Sequence, residues 1–333
     1  MGKLVISNTP HIKSKSSTKR IMIDVLIALL PAFVMGIVYF GWYALLLCAI
    51  SLLTCILAEV VYLLIVGEKI KDIIRKFDFT SAVTGLLLGM NLPPECPWYL
   101  PIIGGIFGIV VVKMLFGGTG KNFVNPAITA RIFLVLSFAS FMTKWGEPSI
   151  GALFPLDSGA TSGATSGATA LGPILQGSSQ MSNLDLFLGT GVGASAIGET
   201  CKVALILGYI YLVIRKVIDF KYPLIYVGVT GLMMVIYQGN INAFLPSILS
   251  GALIFAAIFM ATDYVTTPNT TLGNIVYFAL LGILTATLRH LRGTESVSFC
   301  ILFMNFFVPL IDRYIVPKPF GFKKAKKEVK DGK

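Results

Sequence analysis

Residues 22–66 read MIDVLIALLPAFVMGIVYFGWYALLLCAISLLTCILAEVVYLLIV, two apolar runs (about 22–41 and 43–66) that meet at Gly41-Trp42. A helix needs about 20 mostly apolar residues to cross a hydrocarbon core, and each run supplies that length. The first run is not expected to be a cleaved signal peptide. It is too long, no small-residue cleavage site follows, and it passes almost directly into the second.

The same pattern recurs outward along the chain. Eight further segments are predicted to be apolar spans, at about 79–91, 98–116, 125–143, 200–217, 222–238, 243–262, 272–288 and 296–315. The one at 79–91 is short and ends in Asn91-Leu92-Pro93-Pro94, which suits a half-helix or a re-entrant piece. Composition agrees. The 333 residues are 55% hydrophobic and 13% charged, with a mean hydropathy of +0.82. Soluble domains carry about 25% charged residues, and no single water-facing core could bury this much apolar sequence. A cytosolic enzyme, a nucleic-acid-binding domain and a disordered chain are excluded. The expected fold is an all-α polytopic membrane protein of about ten transmembrane helices.

The formal charge of +11 gathers between apolar runs and in the tail, as orientation signals do. Lys3, Lys13, Lys15, Lys19 and Arg20 precede the first span and place the N-terminus in the cytoplasm. Counting onward, Lys69, Lys71, Arg75 and Lys76 are cytoplasmic. So are Lys113 with Lys121, Arg215 with Lys216 and Lys221, and the tail from Lys323 to Lys330. Arg289, His290 and Arg292 break the pattern: the count makes them an external basic turn, which could meet an anionic partner or cofactor. The chain divides into an N-terminal cytoplasmic segment 1–21, a membrane half 22–143, an extracytoplasmic loop 144–199, a second half 200–315 and a basic tail 316–333. Five spans on each side of the loop put the halves in opposite orientations, the inverted-repeat plan of many transporters. That expectation rests on parity alone.

Three polar stretches could carry chemistry. Residues 157–171 read DSGATSGATSGATAL, with Thr161, Thr165 and Thr169 spaced four apart among Ser, Gly and Ala. They suit a flexible linker or a segment open to a modifying enzyme. In Gly117-Gly118-Thr119-Gly120-Lys121-Asn122-Phe123-Val124-Asn125-Pro126-Ala127, glycines free the backbone and Asn side chains offer donors and acceptors. Asn125-Pro126 is a helix-start signal, and such a positive terminus could face a phosphate or another anionic group. A plain capped turn is the alternative. Arg131, less than two turns into the next span, should face a partner rather than lipid. Thr262-Asp263-Tyr264-Val265-Thr266-Thr267-Pro268-Asn269-Thr270 is the matching polar break of the second half, a site border or a capped loop. Glu59, within the second span, is expected to pair with a lysine such as Lys69 or to snorkel. Cys48, Cys55, Cys96, Cys201 and Cys300 show no metal-ligand spacing, so iron–sulfur or zinc chemistry is not expected. No catalytic residue is assigned.

These residues together resemble the RnfD/NqrB family, membrane subunits of ion-translocating, NADH-linked redox complexes. Ser166-Gly167-Ala168-Thr169-Ala170-Leu171 is similar to its flavinylation motif. Ser7-Asn8-Thr9-Pro10-His11-Ile12, Ser17 to Arg20, the Gly117–Ala127 loop, Ile197-Gly198-Glu199-Thr200, Ser296 to Asn305 and Pro309 to Arg313 match along the whole chain. Without a long N-terminal extension, the chain is nearer RnfD than NqrB. The resemblance implies FMN joined through a phosphoester to Thr169, installed outside the cytoplasm by a flavin transferase. Thr165 and Thr161 stand as alternatives because the motif occurs three times, and Gly163 stands where the family has an Asp six residues before the acceptor. It further implies a non-covalent riboflavin within the helices, with Asn122, Asn125, Arg131, Asp263 and Thr266 as cofactor-binding residues. The expected setting is a prokaryotic inner membrane, with both termini cytoplasmic. The implied partners are a second covalent-flavin subunit and iron–sulfur subunits, with electron flow between ferredoxin and NAD coupled to Na⁺ or H⁺ transport. Three other readings remain: an NqrB-type subunit of a Na⁺-pumping quinone reductase, a solute permease without redox role, and a scaffold that merely anchors the complex. A permease has no reason to carry an acceptor threonine outside.

Overall fold

In a computed structural model, residues 17–144, 183–189, 195–292 and 296–316 are described. All ten expected segments are helical. The first two are α1 (Thr18–Phe40) and α2 (Trp42–Val66). A short α3 (Ile70–Lys76) leads to α4 (Thr80–Met90), and α5 (Tyr99–Ile106) runs on as a π-helix, Phe107–Met114. Next come α6 (Pro126–Ser137), α7 (Ala139–Met142) and α8 (Asn183–Leu188). The second half contributes α9 (Lys202–Ile214), α10 (Lys221–Gln238), a 3₁₀ turn with α11 (Phe244–Leu249), α12 (Leu253–Phe259), α13 (Thr271–Arg292) and α14 (Val297–Tyr314).

Among the described residues, four helices are long and apolar enough to cross a membrane: α1, α2, α13 and α14. The segment at 243–262 is a pair bent by 61° between α11 and α12. The segments around α4, α5, α6 and α9 are shorter apolar helices. A polytopic helical membrane protein with short interior helices follows.

The short helices sit inside. Every residue of α4 and of α12 is buried. Glycine makes this possible on α4: a Cβ at Gly85 would stand 2.7 Å from Leu52 Cα, and one at Gly89 2.8 Å from Cys48 Cα. The helix therefore lies backbone-to-backbone on α2, where the Ser51 hydroxyl donates to the Gly85 carbonyl at 2.7 Å. Elsewhere α1 packs on α9 and α10 on α13. Asp24 of α1 receives Arg215 Nη2, beyond the end of α9, at 3.1 and 3.2 Å.

Two expectations from charge counting are corrected, and Glu59 pairs with a lysine as expected, though a different one. Lys113 is not a loop cation: it lies in the π-helix, 3% exposed. It is also the partner of Glu59, at 2.9 Å, in place of Lys69. Arg289 is not an external turn. It lies within α13, fully buried, and its guanidinium donates to the Ser247 and Ser250 carbonyls at 2.9 and 3.4 Å. A window count of cations cannot tell a loop lysine from one that neutralises an interior carboxylate or caps the carbonyls of a broken helix.

Candidate functional site

The start of α4, the end of the π-helix, the loop 115–125, the N-terminus of α6 and the turn after α12 enclose a cavity. It measures about 790 Å³ counting its open mouth, within the range of small-molecule sites, roughly 300–1,000 Å³. The loop reaches it because Gly117, Gly118 and Gly120 adopt φ of 104°, 88° and 85°, open to glycine at little cost. Asn125 then caps α6, its Oδ1 accepting from the Ala127 and Ile128 amides at 3.0 and 3.3 Å. Its Nδ2 donates to the Met260 carbonyl at 3.3 Å and ties the halves together.

A buried polar chain runs along one wall. Lys113 Nζ donates to Glu59 Oε1 at 2.9 Å and to Thr80 Oγ1 at 2.6 Å. Thr80 Oγ1 donates to Asp78 Oδ1 at 2.6 Å and lies 3.2 Å from the Thr119 hydroxyl. Burial by itself would raise the Asp78 carboxyl. Hydrogen bonds from the Thr80 hydroxyl and amide, the Lys113 charge and Thr119 outweigh it and hold the group below the usual carboxylate range. Glu59 Oε2 is buried with no hydrogen-bond partner. Opposite stands Asp263 in the turn after α12, whose Oδ1 accepts from the Val265 amide at 3.4 Å. Burial pushes this carboxyl up to about 6, against the lowering effect of hydrogen bonds from Val265 and Thr266.

Of the residues singled out from sequence, Asn122, Asn125 and Asp263 converge on the cavity. Asn122 donates to the Val124 carbonyl at 3.0 Å. Thr266 is buried beside Asp263, and its amide donates to the Asp263 carbonyl at 3.2 Å. Arg131 sits apart from the lining: buried in α6, it donates from Nη1 to Asn91 Oδ1 and Ser298 Oγ, both at 3.0 Å. Thr161, Thr165, Ser166, Gly167, Ala168 and Thr169 lie outside the described residues. Sequence reading missed Lys113, Thr80 and Thr84 as lining groups. The signal was available in Lys113, a cation inside the apolar run 98–116, as Arg131 is inside the next.

This architecture defines a polytopic helical membrane protein whose interior helices enclose a mostly apolar cavity with a polar chain along one wall. The chain belongs to the NQR2, RnfD, RnfE family, whose profile matches residues 5–321. It is 37% identical, over 98% of both sequences, to the D component of the Na(+)-translocating ferredoxin:NAD(+) oxidoreductase complex of Acetobacterium woodii. It is 35% identical to the D component of the proton-translocating ferredoxin:NAD(+) oxidoreductase complex of Clostridium ljungdahlii, over 95% of this chain and 96% of that one. The D component of the ion-translocating oxidoreductase complex of Halorhodospira halophila shows 33% identity over 96% of each.

Proposed function

We propose that this chain is the D component of an Rnf-type ion-translocating ferredoxin:NAD oxidoreductase, seated in a prokaryotic inner membrane and inactive without its partner subunits. The observation that carries the reading is likeness to the D components of such complexes over 95–98% of this chain and 96–98% of theirs. The SGAT repeat supports a covalent FMN on Thr169, with Thr165 and Thr161 as alternatives. When bound, FMN supplies one-electron exchange between a donor outside the membrane and further carriers. The partners are a second covalent-flavin subunit, iron–sulfur subunits and the flavin transferase that loads the threonine.

The cavity favours a role in the helices as well. Amides of Asn122 and Asn125, hydroxyls of Thr80 and Thr84, and the Lys113 ammonium face apolar walls that include Val83, Leu87 and Phe259. That mixture suits a flavin ring such as riboflavin: apolar faces bind its planes, and a few donors and acceptors its polar edge. The same polar groups suit a step in moving Na⁺ or H⁺.

An inverted repeat is supported by which helices meet. Counterparts α1 and α9 pack together, as do α6 and α14. The buried helices α4 and α12 are each preceded by a left-handed residue, Phe79 at φ 64° and Gly251 at φ 66°. Each half also uses a buried cation near its short helix, Lys113 in one and Arg289 in the other.

The test is peptide mass spectrometry and in-gel ultraviolet fluorescence after co-expression with a flavin transferase. One FMN phosphoester on the 158–173 peptide, on Thr169, is expected. An unmodified peptide beside an active transferase would remove the covalent flavin from the reading.

A further inference from the structure

The cavity opens at a rim where Thr119 and Gly120 are exposed. The span count puts that rim, in the loop 115–125, on the cytoplasmic face. Away from the rim the wall is carried by Leu87 of α4, Asn125 at the start of α6, and Ile258 and Phe259 of α12. Further along the same elements stand Asn91, Arg131 and Met260, all buried. Two bonds join this layer to the cavity floor. Asn91 Nδ2 donates back to the Leu87 carbonyl at 2.8 Å, and Asn125 Nδ2 donates to the Met260 carbonyl at 3.3 Å.

Arg131 is the charge of the layer. Its Nη1 donates to Asn91 Oδ1 and to Ser298 Oγ of α14, both at 3.0 Å. Both acceptors are neutral, and among the described residues the guanidinium has no carboxylate partner. Lys113 and Arg215 differ: Glu59 and Asp24 meet their charges. Arginine keeps its charge in any protein setting, and burying a charge without a counter-ion is costly. A fold that only needed α4, α6 and α14 tied together could use a neutral amide here. The two acceptors are oxygens of the kind hard cations prefer, and Nη1 stands between them, where such a cation would sit.

We propose that Arg131 is a resident cation that closes the cavity toward the extracytoplasmic side, filling the oxygen-lined step beyond the floor and holding mobile cations back by charge. Fixed arginines exclude cations from narrow passages in this way. At a separation of about 4 Å and an effective dielectric of about 20, the repulsion lowers occupancy by a second cation about a thousandfold. The barrier rests on the ion-translocation reading above and on no flavin.

The test uses the assembled complex in liposomes, without electron donor. A potassium–valinomycin potential, negative inside, draws in sodium and protons, and a chloride gradient is run in parallel. Arg131→Gln keeps a hydrogen-bonding side chain and loses the charge, and Arg131→Met is a second neutral variant. They should raise entry of sodium, protons or both by at least about tenfold, with chloride entry unchanged. Arg131→Lys keeps the charge, and Ser298→Ala keeps the arginine but loses one acceptor. Both should leak no more than the wild type. A wild-type leak in the neutral variants would overturn the barrier. So would an equal rise in Arg131→Lys or Ser298→Ala, or chloride entering in step with the cations, since each would mark a packing defect. Ferredoxin-driven cation uptake by the wild type in the same liposomes reports separately on the function proposed above.

Discussion

At the residue scale, the Lys113–Glu59 pair is the strongest local commitment in the structure. Both groups are nearly or wholly withdrawn from solvent, at 3% and 8% exposure. Removing one member of such a pair strands the other charge and costs about 3–5 kcal/mol, while removing both is often near neutral. Lys113→Met should therefore lower the thermal midpoint of the purified complex sharply, and Lys113→Met with Glu59→Gln should recover most of the loss. A double variant no better than the single would show that Thr80, not Glu59, is the partner that matters. Asp263 makes a prediction of opposite sign to an ordinary salt-bridged carboxylate. Its folded value is raised to about 6, above an unfolded value near 3.9. The fold then binds more protons than the unfolded chain between those values, so its contribution is complete below about pH 4 and fades as pH rises through about 6. Wild-type stability should fall relative to Asp263→Asn between about pH 4 and 6. Parallel pH profiles for the two proteins would contradict it.

At the element scale, the glycines divide by what lies over them. A Cβ at Gly208 in α9 would overlap the Ala28 carbonyl oxygen of α1, a backbone atom that cannot step aside. At Gly228 in α10 nothing lies within 4 Å. Gly208→Ala should force α1 and α9 apart, destabilise by about 1–3 kcal/mol and loosen the Asp24–Arg215 pair. Gly228→Ala should stabilise by up to about 1 kcal/mol through helix propensity. Chemical denaturation of the two variants side by side checks both signs. The same contrast explains what the sequence could tell. Helices α1, α2, α13 and α14 were legible because length and hydropathy suffice for a helix that meets lipid. The shortness of α4 was legible too, from Asn91-Leu92-Pro93-Pro94. The break between α11 and α12 was not: Ser247, Ser250 and Gly251 look like ordinary small residues within an apolar run. Their role depends on Arg289 arriving from α13 to take the freed carbonyls, a contact some forty residues away in sequence.

At the scale of the whole molecule, the candidate site was half legible for a related reason. Asn122, Asn125 and Asp263 stood out as polar interruptions of apolar sequence, and folding brings them to one cavity. Arg131 stood out by the same rule, yet its guanidinium ties α6 to Asn91 and Ser298. An intramembrane cation announces that it needs a partner without saying whether that partner is protein or ligand. Orientation is the remaining global property, and the two corrected cations bear on it. Placing Arg289 in the interior removes one of the cations that opposed the count, while Arg292 still lies at the end of α13 that the count makes external; the span count puts Lys69, Lys71, Arg75 and Lys76 on one face, and the turn at Gly239–Asn242 between α10 and α11 on the other. Lysines and arginines near span ends keep their segments cytoplasmic, whereas buried cations contribute nothing to that bias. A cysteine at the exposed Lys71 should therefore be labelled by an impermeant maleimide only in inside-out vesicles. One at the exposed Asn242 should be labelled only in right-side-out vesicles. Labelling of both from the same side would break the odd number of spans between the two positions, and with it the inverted repeat proposed above.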